Sequence, residues 1–473
     1  MPYESHDYQM EAIVYLLDRT DVLFVTATGT GKTDTFIRLM HVVLALSKDH
    51  SLHAQASRFP PDPAMLIVCP TKALEYDMER KMIKAGLKAR AVNADTVDAS
   101  RKKGVCLFDK ISTGVTMILL SPEQLKSPGF AAILDNGPFG RRIAMMAVDE
   151  AHLLNSWGKS LRPAYMQVGF LRARLATHPA MLVTTATLEK GGPTKSVCEC
   201  LGLQEEKFHF IRRSNLRGDI RLVFREMRTG MASIRFPELK WLLEAIGCVV
   251  VFCRTIALGF RVAAYLYCEG QKSLSCNKQV RMFNSLNWSS YNEATLAFLN
   301  DDPSAQIIVA TDTLSVGFDS PNIKTVVIFG ETMDTDDYLQ KAGRIRISGT
   351  VESKPSAIIY LSNTAVKNAK EVLASKPKAS KNSRTGTTGP HLSANMARLI
   401  LAPCKVKELN ETYDNPIMDI PCKCCTCSKS PSPSYQPDKC DCSGCVPEPD
   451  SGKPIIAAKK TSKSSVLRKK SRK

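Results

Sequence analysis

This 473-residue chain predicts an α/β fold of two parallel-sheet lobes, followed by a small Cys-rich segment and a disordered basic tail. Three observations carry the prediction. Short, wholly apolar runs alternate with longer amphipathic stretches, the rhythm of strand–helix–strand units around a sheet covered on both faces. The rhythm runs twice, with an arginine-rich break between the rounds. After the second round the composition turns to Lys, Ser, Thr and Gly, then to cysteine. At roughly 150 residues per domain the length allows about three units. The hydrophobic share of 44% and charged share of 23% are those of a globular chain, not a collagen-like or wholly disordered one. No apolar run reaches the ~18 residues of a membrane span. Met1 to Met10 has neither a basic nor an apolar stretch and does not read as a secretory signal.

The elements follow in order. In the first lobe, residues 1–205, the runs Asp21 to Ala27, Ala64 to Cys69, Val115 to Leu120, Ile143 to Val148 and Met181 to Thr185 read as buried strands. Thr33 to Ala45 and Lys72 to Lys84 read as helices between them. Phe208 to Arg221, with four arginines, reads as a linker. The second lobe, residues 221–363, restarts with strands at Cys248 to Phe252, Gln306 to Ala310, Thr325 to Phe329 and Ser356 to Leu361. Ser375 to Pro390 is a flexible spacer by composition. Residues 391–446 hold a helix at Asn395 to Leu409 and the Cys-rich stretch; residues 447–473 are the tail.

Charge and cysteine narrow the function. The net charge is +18, and Ser451 to Lys473 carries nine Lys or Arg with no acid, half of that total. Such a tail points to a polyanionic partner or a nuclear import signal. Of sixteen cysteines, seven crowd between Cys422 and Cys445, while others sit in apolar runs such as Val249 to Cys253. The scattered ones read as small buried hydrophobes and the dense cluster as a metal site rather than a disulfide framework.

Two motifs carry chemistry on their own terms. Thr26-Ala27-Thr28-Gly29-Thr30-Gly31-Lys32-Thr33 follows a strand and opens a helix. Glycines there let backbone N–H groups of the Thr28 to Gly31 turn wrap a phosphate at the positive helix end. Lys32 neutralises the outer phosphates of ATP, and the Thr33 hydroxyl ligates Mg²⁺. Asp149-Glu150-Ala151-His152 ends the strand Ile143 to Val148. Asp149 at that edge is placed to hold Mg²⁺, and Glu150 to polarise an attacking water.

Together these segments resemble a superfamily-two DEAH-box helicase, and specifically a RecQ-like DNA helicase, which implies that both lobes are RecA-like. Gln9 with Ala12-Ile13 is similar to the adenine-reading segment. Val68 to Leu74 and Leu120 to Leu125 resemble strand-contacting motifs, which assigns Thr71 and Ser121 to nucleic acid. Thr185-Ala186-Thr187 resembles the segment that couples hydrolysis to movement, a role the resemblance also gives His152. The stretch Asn155 to Tyr165 looks like the aromatic-rich loop of RecQ enzymes. There Trp157 presents a stacking face, Arg162 a phosphate or cation–π contact, and Tyr165 completes the pattern. Ile308 to Asn322 resembles the motif touching both nucleotide and strand, which carries over to Thr311, Gly317 and Asp319. Gln340 to Arg344 resembles the last motif, whose arginines reach the γ-phosphate, with Arg344 and Arg346 as candidates.

The departures are specific. Where the family repeats Arg three residues after Arg344 this chain has Ile347, with Arg346 one place early. Either Arg346 is re-aimed by a local shift or one arginine finger is missing, which costs on the order of 10³ in turnover. Ser5 and His6 replace an expected aromatic and Arg, and Val280 to Trp288 stands where the family has a His-containing segment. Cys404 with Lys405 to Leu409 resembles the start of the RecQ zinc subdomain. That implies a Cys₄ Zn²⁺ site of Cys404, Cys422, Cys425 and Cys427, with Cys424 an equally placed substitute and Cys440, Cys442 and Cys445 a second cluster. No winged-helix module of normal length fits after Cys445. The resemblance implies an ATP- and Mg²⁺-dependent enzyme, a hydrolase and DNA-unwinding isomerase that moves 3′ to 5′ on single-stranded DNA. Its substrates are branched or duplex DNA in recombination and repair, with a nuclear address from the tail. Two alternatives stay open: a degenerate relative that binds DNA and ATP with little hydrolysis, and an RNA helicase of another superfamily-two branch.

Overall fold

The computed structural model describes residues 4–135, 137–156, 163–175, 177–272, 279–301, 306–314, 323–346, 354–375, 392–429 and 439–448. The first sheet holds β1 (Asp21–Val25), β2 (Ala64–Val68), β3 (Ala89–Val92), β4 (Met117–Leu120), β5 (Ile143–Val148), β6 (Ala180–Thr185) and β7 (Phe208–Arg212). Its spatial order is β3-β4-β2-β5-β6-β1-β7, and every pairing is parallel. The second sheet holds β8 (Arg221–Glu226), β9 (Cys248–Cys253), β10 (Gln279–Phe283), β11 (Gln306–Ala310), β12 (Ile323–Phe329) and β13 (Ser356–Leu361). Its order is β10-β11-β9-β12-β13-β8, again parallel throughout.

The apolar strands lack alternation because each sheet has a core on both faces. In β1, Leu23 and Val25 pack into one cluster while Val22 and Phe24 pack into another. In β9, Val250 and Phe252 face one way and Val249 and Val251 the other. Each such side chain contributes about 1.5–3 kcal/mol by leaving water.

Phe208 to Arg221, read as a linker, instead supplies edge strand β7, paired with β1 from Asp21↔Phe208 to Val25↔Arg212, before the chain crosses to the second lobe. The helix expected over Asn395 to Leu409 is two helices, Ala394–Leu401 and Lys405–Tyr413. Pro403 interrupts them, since it has no N–H to donate, and the Cys404 sulfur then caps the second by accepting from Lys407 N at 3.4 Å. The apolar face of this pair, including Met396, Leu399, Leu409 and Tyr413, joins the second lobe's core. The loop after Cys440 covers the exposed edge of β8: Ser443 N donates to Leu222 O at 3.0 Å and Ser443 Oγ accepts from Phe224 N at 2.9 Å. The spacer 376–391 and residues 449–473, which hold almost all of the basic tail, lie outside the described residues. No helix among the described residues is long and apolar enough to cross a membrane.

Candidate nucleotide site and metal centres

The phosphate-loop sequence sits where β1 (Asp21–Val25) hands over to α2 (Lys32–Lys48). Gly29 and Gly31 have φ of +81° and +83°, a region that only glycine enters without strain. A Cβ on Gly31 would stand 2.6 Å from Gln9 Nε2, so a side chain there would displace the Gln9 amide of α1 (Asp7–Leu17). Gln9 Nε2 donates to Gly31 O at 2.8 Å and Tyr8 OH donates to Thr30 O at 3.0 Å. Helix α1 therefore grips the loop from outside. Lys32 Nζ donates to Thr26 O at 3.1 Å and Ala27 O at 3.0 Å, and Thr33 follows it in the first turn, half-buried. Burial pushes the Lys32 ammonium below its ordinary range while the Glu150 and Asp149 carboxylates pull it back.

Asp149 and Glu150 leave the end of β5 (Ile143–Val148) beneath this loop. Asp149 Oδ1 accepts from Thr184 Oγ1 at 2.7 Å and from Glu150 N at 2.9 Å. Burial and the neighbouring Glu150 raise its pKa to about 6, against the pull of Lys32. Glu150 has φ of +49°, unusual for a residue with a Cβ and a local cost of about 1–3 kcal/mol. Its Oε2 is buried 3.4 Å from His152 Nδ1 with no hydrogen-bond partner among the described residues, which leaves a lone pair for a water.

His152 joins the lobes. Thr185 Oγ1 donates to Thr187 O at 3.0 Å, so it accepts from His152 Nδ1, 2.8 Å away. The proton is thus on Nδ1, and Nε2 accepts from Gln340 Nε2 of the second lobe at 2.5 Å. Burial lowers the pKa of His152 to about 4, so the ring is neutral near pH 7. The three residues expected to couple hydrolysis to movement, His152, Thr185 and Thr187, form one buried chain. Gln340, which lay in the last motif without an assigned role, completes it.

Cations converge on the same loop from the second lobe. Thr28 Oγ1 donates to Gly343 O at 3.1 Å. Arg346 Cζ stands 3.4 Å from the Cβ position of Gly29, and Arg346 donates to Gly343 O and, at 2.9 Å, to Ile345 O. Arg344 is buried, and both arginines press the Lys32 pKa downwards. Arg217, from the segment read as a linker, donates to Thr28 O at 3.5 Å and Ile345 O at 3.2 Å while chelated by Asp219. The arginine density of that segment was its only signal.

Thr71, Ser121 and Thr311 immediately follow or nearly follow β2 (Ala64–Val68), β4 (Met117–Leu120) and β11 (Gln306–Ala310), at the carboxyl edges where parallel sheets bind ligands. Thr71 Oγ1 caps the helix Lys72–Lys84, Ser121 is buried, and Thr311 is half-exposed. Trp157, Arg162, Gly317, Asp319 and Ile347 lie outside the described residues, as does the side chain of Tyr165.

The expected zinc set is not assembled. Cys404 meets Cys440, Cys442 and Cys445, their sulfurs within 4.8 Å of one another, and Cys404 and Cys440 are 3.7 Å apart. A tetrahedral Zn²⁺ with Zn–S near 2.3 Å has S···S edges of about 3.8 Å. Burial disfavours the Cys442 thiolate, but the N–H groups of Lys405 and Cys445, the Cys440 thiol and the N–H of Gly444 outweigh it and bring its pKa to about 7. Gly444 is obligatory, because a Cβ would lie 2.0 Å from Pro403 O. Cys422 and Cys427 gather elsewhere, with Cys424 and His6. Cys425, which starts a short helix, is exposed and joins neither cluster. The cluster taken as secondary thus holds Cys404, and the spacing of Cys422 to Cys427 misled.

Residues 6–193 match the DEAD/DEAH box helicase family, and residues 235–348 match the helicase conserved C-terminal domain. The chain is 25% identical over 354 residues to the probable ATP-dependent DNA helicase RecS of Bacillus subtilis, covering 75% of this chain and 63% of that one. It is 23% identical to the ATP-dependent DNA helicase RecQ of Pasteurella multocida, covering 78% of this chain and 52% of the relative. With mouse ATP-dependent DNA helicase Q5 it shares 25% identity over 62% of its length and 29% of the relative's. The chain thus spans between about a third and two thirds of these relatives' lengths. Among solved structures it is similar in fold to the DEAD-box helicase Mss116 bound to ssRNA, with TM-score 0.59, 16% identity and coverage of 79% and 73%. It is likewise similar to the DUF1998 helicase MrfA bound to DNA and AMPPNP, with TM-score 0.58, 16% identity and coverage of 76% and 48%.

Proposed function

The chain is a RecQ-like member of the DEAD/DEAH box helicases, and on that premise we propose that it is an ATP-dependent DNA helicase. In this reading it moves 3′ to 5′ on single-stranded DNA, separates duplex or branched DNA, and serves recombination and repair in the nucleus. The observation that carries the engine reading is the buried chain from Gln340 through His152 to Thr185, which starts on one lobe and ends on the other, its His152 3.4 Å from Glu150. A catalytic carboxylate tied to a lobe-to-lobe contact responds to closure, and that dependence converts hydrolysis into stepping.

The loop residues Thr28 to Thr33 cradle the triphosphate, and Gln9 stands beside them to meet the base. Thr33 and Asp149 would hold Mg²⁺, which would supply charge neutralisation to the phosphates. Lys32 leaves the Thr26 and Ala27 carbonyls for a phosphate, a stronger acceptor. Glu150 orients and deprotonates the water at its buried Oε2. Arg344 and Arg346 carry positive charge to the loop only when the second lobe closes. DNA specificity is supported by the RecQ-named relatives, and the nuclear address by the basic tail. A tagged chain lacking residues 459–473 that still concentrated in nuclei would remove that address.

The deciding experiment is steady-state ATP hydrolysis with and without single-stranded DNA or RNA, with Glu150→Gln as the blank. Stimulation by DNA over RNA, lost in the variant, is the expected result. One observation favours a second reading, a nucleotide-gated DNA-binding protein: the Arg346 guanidinium is turned onto the Gly343 and Ile345 carbonyls. Turnover no higher than the blank, with DNA still bound, selects it.

A further inference from the structure

The cluster of His6, Cys422, Cys424 and Cys427 lies apart from the Cys404 centre and shares no residue with it. His6 Nδ1 stands 3.8, 3.3 and 3.4 Å from the sulfurs of Cys422, Cys424 and Cys427. Zn–S near 2.3 Å and Zn–N near 2.05 Å in a tetrahedron require S···N edges of about 3.5 Å. The measured distances bracket that value. Nor are the sulfurs bare: Asp7 N donates to Cys422 Sγ at 3.3 Å and Cys427 N donates to Cys424 Sγ at 3.4 Å, the outer N–H contacts that thiolate ligands take. Two further bonds tie the same segments, Lys423 N to an Asp7 oxygen at 2.7 Å and Cys425 N to a Glu4 carboxylate.

We propose that these four residues form a second, structural Zn²⁺ site that staples the N-terminal segment to the C-terminal Cys-rich stretch. Thiolate-rich Cys₃His donors select Zn²⁺ over the hard cations, and four protein ligands leave no position for a reacting water. The ligands come from positions more than 400 residues apart. The staple also bears on the nucleotide pocket. His6 precedes α1, its backbone N–H donates to Gln9 Oε1 at 2.9 Å, and Gln9 in turn holds Gly31 O. His6 further stacks on Tyr8, ring centroids 5.0 Å apart, and Tyr8 holds Thr30 O. A metal on His6 thereby fixes the start of the helix that grips the phosphate loop. This second consequence rests on the nucleotide reading above, whereas the metal site itself does not.

The test is zinc content of the purified full-length chain by mass spectrometry, with Co²⁺ substitution to read ligand type. Two zinc per chain are expected, falling to one in Cys424→Ser and in His6→Ala, and staying at two in His6→Cys, which keeps four ligands. The Co²⁺ form of Cys442→Ser should show only the S₃N spectrum of the His6 site, and that of Cys424→Ser only an S₄ spectrum. One zinc in the wild type that Cys424→Ser retains, or two zinc in His6→Ala with an unchanged Co²⁺ spectrum, overturns the site. If a variant fails to fold, the wild-type Co²⁺ spectrum still decides, since S₄ absorption alone excludes His6. The affinity for a fluorescent ATP analogue should fall about tenfold in His6→Ala, the weight of one net hydrogen bond, and recover in His6→Cys. Loss of the second zinc without any change in nucleotide affinity refutes the link to the pocket but leaves the metal site standing. Absence of nucleotide binding in the wild type refutes the nucleotide reading instead.

Discussion

Breaking the Gln340–His152 contact tests the coupling reading most directly. Gln340→Ala leaves His152 Nε2 without its 2.5 Å donor in a cleft where the imidazole is only 3% exposed. A buried acceptor stripped of its partner costs about 1–3 kcal/mol. The contact exists only between lobes, so the cost falls on the closed state, and DNA-stimulated kcat should drop about 5- to 150-fold. Nucleotide affinity, set by α1 and the loop in the first lobe, should move little. The assay is steady-state hydrolysis over a DNA titration for wild type, Gln340→Ala, His152→Ala and the double variant. A shared chain predicts that the double variant is no worse than the poorer single one, a coupling of at least about 1 kcal/mol. Additive losses, or equal losses with and without DNA, would refute the reasoning. Gln340→Glu probes the tautomer: a carboxylate facing the Nε2 lone pair requires an imidazolium, so its activity should recover as pH falls towards 6.

Other outcomes follow from the same geometry. Glu150→Gln should cut hydrolysis by at least about 10²-fold while ATP-analogue affinity holds, because the residue acts on water and not on the phosphates. Arg346→Ala should lower kcat on the order of 10³-fold, whereas Ile347→Arg, which restores the family spacing, should change it little; a large gain there means that Arg346 does not serve. His152, held at about 4 against 6.5 when unfolded, contributes stability that is complete above pH 6.5 and is lost as pH falls towards 4. Asp336, raised to about 7 by burial, acts in the opposite sense: its contribution fades as pH rises from about 4 to 7. Thermal melts over that window should therefore show a pH slope that becomes more positive in Asp336→Asn, by no more than about 4 kcal/mol in total. Cys442→Ser should release the zinc of the Cys404 centre and lower the melting temperature, read by metal analysis and calorimetry.

How much of this could be read from the sequence depended on burial. The nine strands legible as apolar runs are the nine interior strands of the two sheets, where two covered faces leave no room for polar residues. The four that escaped, β3 (Ala89–Val92), β7 (Phe208–Arg212), β8 (Arg221–Glu226) and β10 (Gln279–Phe283), are the four sheet edges. Each carries an arginine, Arg90, Arg212, Arg221 or Arg281, because an edge meets solvent or a neighbouring loop. The phosphate loop and acidic box were legible because their chemistry is local, a few residues in one turn. Arg217, Gln340 and the true partner of the Cys422 cluster were not, because each acts across more than 100 residues of chain. Cysteine spacing misled for the same reason: the family's spacing joined Cys404 to Cys422, while the fold carries the chain past it to Cys440.

The C-terminal pair of helices belongs unequally to the two lobes, and that inequality bears on how the cleft works. Towards the second lobe it presents a continuous apolar face, with Tyr413 fully buried and its hydroxyl bonded to Thr335 and Asp336. Leu216 and Ile220 of the crossing segment join that same core, whereas the first lobe's Lys190 N bonds Thr412 O at 3.2 Å, and beyond the helices Ile420 O accepts from Arg213 and Asp419 from Ser214 N, each at 2.8 Å. Separating an apolar face costs about 25 cal/mol per Å² of surface, whereas each polar bond contributes about 1 kcal/mol net. The helices therefore travel with the second lobe, and their bonds to the first lobe are the ones that break when the cleft opens. Thr335 also donates to Glu189 of the first lobe at 2.9 Å, four residues beyond Thr185, where the strand of the His152 chain ends. Closure thus makes two sets of contacts at once, Gln340 on His152 and Thr335 on Glu189. A change that loosens the helices from the second lobe, such as Tyr413→Phe, should weaken the second set and leave the first.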